Sequence, residues 1–195
     1  MEKIKKFLKD PVVREALDWI AHIGIAVVIA ILIVSYVIQI TIVMGSSMEK
    51  CLHDGDRLIV EKFVYKFKGL NRGDIVVINN PRETKGENTP VIKRIAGLEG
   101  DLIEIKDGSV YVNNEKLVEP QINGTYTYAD GDDVLGNKKV VVPEGHIYVL
   151  GDNREPYASM DSRVYGPVNL KKVEGRAVFR FWPFKSFGKL KLQES

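Results

Sequence analysis

Apolar positions along this chain follow two different rules. From Ile23 to Val43 no residue is charged, and at about 1.5 Å of rise per residue such a run is long enough to cross a hydrocarbon layer of about 30 Å. After Met44 the apolar residues come instead in short runs broken by turn signals. The long run starts as a helix. Asp10-Pro11 supplies an N-cap followed by proline at the first helical position, and Val12, Val13, Ala16, Trp19 and Ile20 follow at roughly helical spacing. It does not end as one. Val37-Ile38-Gln39-Ile40-Thr41-Ile42-Val43 is β-branched and sets Ile38, Ile40 and Ile42 on one face at period two, which predicts a change from helix to strand near Tyr36. Trp19 and Tyr36 then mark the two interfaces of the span. A buried core helix is excluded by the length of the run and its lack of a polar face.

The short runs predict strands over Arg57 to Glu61, Asp74 to Ile78, Val91 to Ile95, Leu102 to Ile105, Ser109 to Val112, Lys139 to Val142, Ile147 to Leu150 and Arg176 to Phe181. His53-Asp54-Gly55-Asp56, Asn71-Arg72-Gly73-Asp74, Glu99-Gly100-Asp101 and Lys106-Asp107-Gly108 separate several of them. The fold class is therefore mainly β, with an N-terminal single transmembrane helix in residues 1–36 and an all-β domain in residues 37–195. An insertion falls at about residues 106–138. Its stretch from Gln121 to Asn137 is polar and rich in Gly and Asp, and predicts a surface excursion without a core.

Charge and composition narrow the function. With 195 residues and a formal net charge of +2, the chain has no basic surplus for a nucleic-acid partner. Cys51 stands alone, so neither an intrachain disulfide nor a zinc site of cysteine-pair spacing can form. His22, His53 and His146 are dispersed, and neither a metal nor another cofactor is implied. Lys3, Lys5, Lys6, Lys9 and Arg14 precede the span, which predicts a cytoplasmic N-terminus and an extracytoplasmic β-domain in the cell membrane. No small-x-small cleavage site follows the run, which favours an uncleaved anchor in the lipid bilayer.

Three stretches could carry chemistry. The first is the knuckle Met44-Gly45-Ser46-Ser47-Met48 directly after the span; taken alone, Ser47 is a turn residue. The second is Val91-Ile92-Lys93-Arg94-Ile95. Alternation groups Lys93 with Val91 and Ile95, and Arg94 with Ile92 and Ala96, so one of the two cations faces an apolar surface. If that cation is Lys93, desolvation favours its neutral amine and lowers its pKa, and a neutral amine can take a serine proton. An edge lysine reaching water is the plain alternative. The third stretch is Gly151-Asp152-Asn153-Arg154 through Ser159-Met160-Asp161-Ser162-Arg163, denser in polar groups than a simple connection needs.

Taken in order, Ser47-Met48, Gly73-Asp74-Ile75-Val76-Val77, Lys93-Arg94-Ile95 with Gly97-Leu98-Glu99-Gly100-Asp101, Gly151-Asp152-Asn153-Arg154 and Ser159-x-Asp161-Ser162-Arg163 resemble the boxes of the type I (leader) signal peptidases, from the anchor to about Phe184. The resemblance implies a peptidase domain of antiparallel sheets or a partial barrel, and cleavage of signal peptides from secretory preproteins. It implies Ser47 as nucleophile, Lys93 as general base, Ser159 as the group orienting the lysine, and an Asp161–Arg163 pair holding the loop. Val43, Met48, Leu52, Val91 and Ile92 stand at the substrate-wall positions. Gly45 stands where some members place an oxyanion-binding serine, leaving that task to main-chain N–H groups including that of Ser47. The sequence departs from the family at Glu49-Lys50-Cys51-Leu52, where x-Pro-Thr-Leu is usual, and has two extra residues between Arg154 and Ser159.

Two other functions fit parts of the sequence. A lone extracytoplasmic Cys51 on an anchored β-domain suggests a sortase-like transpeptidase, although His146 lies near no cysteine motif. An anchored β-domain that binds partners without catalysis is the other. The oligomeric state is open on sequence. At the C-terminal end Phe179 and Phe181 are expected in the core, and Trp182 and Phe184 at the membrane surface.

Overall fold

The computed structural model describes residues 11–79, 81, 89–122, 124–128 and 139–190. The predicted cap Asp10 and the bases Lys3, Lys5, Lys6 and Lys9 lie outside the described residues, as do residues 129–138 of the expected excursion.

Helix α1 runs from Pro11 to Tyr36, and strand β1 from Ile38 to Ile42, so the backbone changes from helix to strand where the β-branched run begins. Residues Pro11–Ile33 are long and apolar enough to cross a membrane, and none of that span is buried within the protein. Two compact units result, residues Met1–Ile38 and Gln39–Ser195.

The second unit is mainly β. Strands β2 (Arg57–Glu61), β3 (Ile75–Ile78), β4 (Val91–Gly97), β9 (His146–Leu150), β10 (Val168–Asn169) and β11 (Val173–Trp182) join β1 in one sheet of order β1-β2-β11-β3-β4-β9-β10, with β12 (Gly188–Lys189) paired to β11. Strand β11 pairs antiparallel with both β2 and β3 and carries register shifts against each; irregularities of this kind bend a strand and raise its twist. A smaller sheet, β7-β6-β5-β8, holds β5 (Leu102–Lys106), β6 (Ser109–Val112), β7 (Glu115–Lys116) and β8 (Val140–Val141).

Three apolar clusters fill the unit. Val43, Met48 and Leu52 pack with Leu58, Val60, Ile75, Val77 and Ala177. On the other parity of β3 and β4, Val76, Ile78 and Ile95 pack with Tyr65, Val149 and Val173. Ala96, Ile103, Val110, Val142 and Tyr148 form the third, beside the small sheet. A short helix α2 (Val64–Lys68), which the pattern did not predict, seats Tyr65 on the second cluster and bonds its hydroxyl to Val173 O at 2.9 Å. The described part of the expected excursion is not coreless: Ile122 and Thr127 are buried.

Candidate active site

The knuckle occupies the loop of the β1–β2 hairpin, which closes through Val43 N–H to Asp56 O (2.8 Å) and Gly55 N–H to Val43 O (2.9 Å). Gly45 takes φ +82°, a conformation open to glycine but strained for other residues, and its N–H donates to Asp54 Oδ1 at 2.8 Å. Met48 and Leu52 then sink into the first cluster, which fixes the turn from beneath and leaves Ser47 half-buried at the rim.

Lys93 lies opposite Val76 in the β3–β4 register, on the parity of Val91 and Ile95. Those three neighbours belong to the second apolar cluster or pack against it, and Ile75 and Ile92, on the parity of Arg94, belong to or pack against the first, so both cations lie on apolar faces. Lys93 is 3 % exposed. Its Nζ donates to Ser47 Oγ at 2.8 Å across 46 positions of sequence. The turn and the strand thus bring a hydroxyl and an amine into hydrogen-bond contact. Arg94 is buried as well, so both cations of this strand leave water, where only one was expected to. Asp152 makes this tolerable: Arg94 Nε and Nη2 donate to its two carboxylate oxygens at 2.8 and 2.7 Å, and Nη1 reaches Gly73 O at 2.8 Å.

The polar loop is buried rather than solvated. Asp161 caps helix α3 (Ser162–Tyr165) through Arg163 N–H, accepts from Arg163 Nε and Nη2 at 2.9 Å each, and accepts from Gly151 N–H at 2.9 Å. Burial works to raise the Asp161 pKa, but the Arg163 hydrogen bonds and charge, with the Gly151 N–H, outweigh it and hold the carboxyl below its usual range. Ser159 is also buried, and its hydroxyl lies by the Asp161 carboxylate, which it helps to hold ionised.

The loop grips the knuckle mainly through backbone. Asn153 N–H donates to Ser47 O at 3.1 Å and Asn153 Nδ2 to Ser46 O at 3.2 Å. Gly151 is required here, since a Cβ would come within 2.5 Å of Ser47 O and 2.2 Å of Ser159 Oγ. Arg154 in turn ties the loop to the insertion: it is fully buried, donates to Thr127 Oγ1 at 2.8 Å and pairs with Glu119. Arg163 Nη1 donates to Tyr128 O at 2.6 Å.

Sequence reasoning named the Ser47, Lys93, Asp161 and Arg163 positions, which the structure brings into one neighbourhood through Gly151 and Asn153. It missed Asp152 and Asn153 as partners, although both sit in the quoted Gly151-Asp152-Asn153-Arg154 box. Of the five wall positions, Val43, Met48, Leu52 and Ile92 share the first cluster, whereas Val91 packs on the second. Lys50 takes φ +90° and its Nζ donates to Thr125 Oγ1. Proline, held near −65°, cannot adopt that backbone, so the departure at Lys50 is one of local conformation as well as residue type. Burial pushes the Cys51 thiol up, and the nearby Arg94 only partly offsets this. A thiol held protonated is a poor nucleophile, which counts against the transpeptidase reading.

Fold and site together describe a β-domain with a serine–lysine pair at the rim of an apolar cluster, downstream of a helix long enough to span a bilayer. The signal peptidase, peptidase S26, family matches residues 16–182. Signal peptidase IB of Staphylococcus aureus is 35 % identical over 185 residues, which take in 89 % of this chain and 93 % of that protein. Signal peptidase I of Bacillus licheniformis is 39 % identical over 176 residues, 88 % of this chain and 91 % of the relative. A crystal structure of a signal peptidase I from Enterococcus faecalis superposes at TM-score 0.44 with 30 % identity, covering 55 % of this chain and 95 % of that one. The chain belongs to the signal peptidase family, peptidase S26, and is a serine peptidase.

Proposed function

We propose that the chain is a membrane-anchored endopeptidase that removes signal peptides from secretory preproteins, with Ser47 as nucleophile and Lys93 as general base. The observation that carries this reading is the 2.8 Å hydrogen bond between Lys93 Nζ and Ser47 Oγ with the lysine almost fully buried. Burial disfavours an ammonium ion and favours the neutral amine that a base must be. In the first step the Lys93 amine takes the Ser47 proton as Oγ attacks the scissile carbonyl. The tetrahedral intermediate then collapses to an acyl-enzyme, the leaving amine departs protonated, and water activated by Lys93 releases the acyl group. Gly45 gives the turn its shape, and main-chain N–H groups of the knuckle, that of Ser47 among them, are assigned to the oxyanion.

Ser159 is assigned to orient the Lys93 amine, on the strength of its burial and of its place against Gly151, next to the Ser47 main chain. Asp161 and Arg163 hold the loop that carries it. Val43, Met48, Leu52, Val91 and Ile92 are assigned to the wall that receives small side chains before the cleaved bond. On this reading α1 keeps the enzyme in the cell membrane with its N-terminus in the cytoplasm and residues 37–195 outside. Substrate and enzyme then share one bilayer, which reduces the entropy lost on their encounter. Trp182 and Phe184, both exposed, are assigned to the lipid surface.

Cleavage of a purified preprotein by the reconstituted full chain tests the assignment. Ser47→Ala and Lys93→Ala should each abolish product while leaving thermal unfolding unchanged; turnover by Lys93→Ala would overturn the dyad.

A further inference from the structure

The turn that carries Ser47 is joined to the insertion from two sides. On the loop side Asn153 N–H donates to Ser47 O at 3.1 Å, and its neighbour Arg154 donates to Thr127 Oγ1 at 2.8 Å. On the far side stands Lys50, exposed at the surface, whose Nζ donates to Thr125 Oγ1 across 75 positions of sequence. Thr125 and Thr127 are two residues apart. The bonds therefore close a ring that leaves the turn at Ser47, crosses the insertion and returns to the turn at Lys50.

Both ends of the Lys50 bond are held. The Thr125 hydroxyl donates to Ile122 O at 2.6 Å, which leaves its lone pairs for a donor such as the Lys50 ammonium. Ile122 is buried, and Thr127 N–H bonds to Gly108 O at 2.9 Å, so this stretch is seated on the turn between β5 and β6. At the donor end Lys50 takes φ +90°, a backbone setting uncommon outside glycine. Between it and Ser47 stand Met48, buried in the first cluster, and Glu49, whose N–H donates to Ser46 O at 3.0 Å. A displacement of Lys50 thus reaches Ser47 through two residues that have little freedom to absorb it.

We propose that Lys50 is a positioning residue of the peptidase: latched to Thr125, it holds the turn so that Ser47 Oγ stays at hydrogen-bond distance from Lys93 Nζ. This rests on the dyad given under Proposed function. The insertion thereby acts on the reaction through the backbone of the turn, without touching substrate. Tying down a side chain as long as lysine costs rotamer freedom. What it secures is geometry at the reacting hydroxyl, where misplacement by about 1 Å lowers the rate by up to about 10²-fold.

The test measures kcat and KM for a purified preprotein with the reconstituted full chain. Lys50→Met keeps a long side chain and removes the donor, and because Lys50 is exposed the melting temperature should stay within a few degrees. Its kcat should fall by about tenfold, with KM changed by less than about twofold. In a Thr125→Val background, which lacks the acceptor, Lys50→Met should lower kcat no further. Lys50→Arg, whose guanidinium can donate to the same oxygen, should recover most of the rate. Full additivity of Lys50→Met and Thr125→Val would overturn the latch, and so would wild-type kcat in Lys50→Met. A loss confined to KM would make Lys50 a substrate contact and overturn it as well. Ser47→Ala in the same assay keeps the two readings apart: cleavage that needs Ser47 but ignores Lys50 removes the latch and leaves the dyad. Cleavage that survives Ser47→Ala removes both.

Discussion

Lys93 and Arg94 are adjacent on one strand, equally buried, and bond to different kinds of group. Arg94 meets a carboxylate in a two-point ion pair and a carbonyl besides. Lys93 donates to a serine hydroxyl. A guanidinium cannot be neutralised in a protein, so burying it requires a matched anion, and Asp152 supplies one. A lysine ammonium can lose its proton, so an apolar site turns it into a base. On the proposed mechanism, one cation of the strand is held in a fixed ion pair and the other has a proton that must move.

If the comparison is right, the two cations fail in different ways. Lys93→Ala should lower preprotein cleavage by at least about 10³-fold, the upper part of the range for loss of a general base, and leave the melting temperature within a few degrees. Arg94→Met should do the reverse at first order, destabilising by about 3–5 kcal/mol in chemical denaturation because Asp152 is left buried and unpaired. Arg94→Met that unfolds like the wild type would remove the structural half of the contrast. Gly151→Ala comes next: its methyl would press on Ser47 O, and displacement of this order near a reacting group lowers kcat by about 10²-fold.

The polar loop sharpens the contrast through pH. The Asp161 carboxyl is held below its ordinary range by Arg163, so the stability it contributes is complete above the unfolded value, about 3.9, and is lost as pH falls through the folded value. Urea midpoints should therefore drop steeply below about pH 4, and Asp161→Asn should flatten that drop. Smallest of all, Cys51→Ser should change cleavage by less than about twofold, since a thiol that burial keeps protonated has no part in the chemistry.

Much of this was legible in the sequence. The switch from helix to strand could be read because β-branched residues at period two are a local signal, and most of the strands are bounded by Gly and Asp turns. The Ser47 and Lys93 positions could be named because resemblance supplied what spacing alone could not: their contact crosses 46 residues. What escaped the sequence shares one physical cause. Asp152 under Arg94, the burial of Ile122 and Thr127, and the grip of Arg154 on Glu119 are long-range pairings that no periodicity reports. Helix α2 escaped for the opposite reason, since five residues are too few to show a period.

The turn that carries Ser47 is gripped by the loop through the carbonyls of Ser46 and Ser47 and seated by the side chains of Met48 and Leu52. Glu49 N–H also donates to Ser46 O, and Cys51 packs against the same cluster, so residues 49–51 help to hold the turn from the other side. An inhibitor that engages the Gly151 backbone would therefore press on a point where no side chain can be added without striking Ser47 O or Ser159 Oγ.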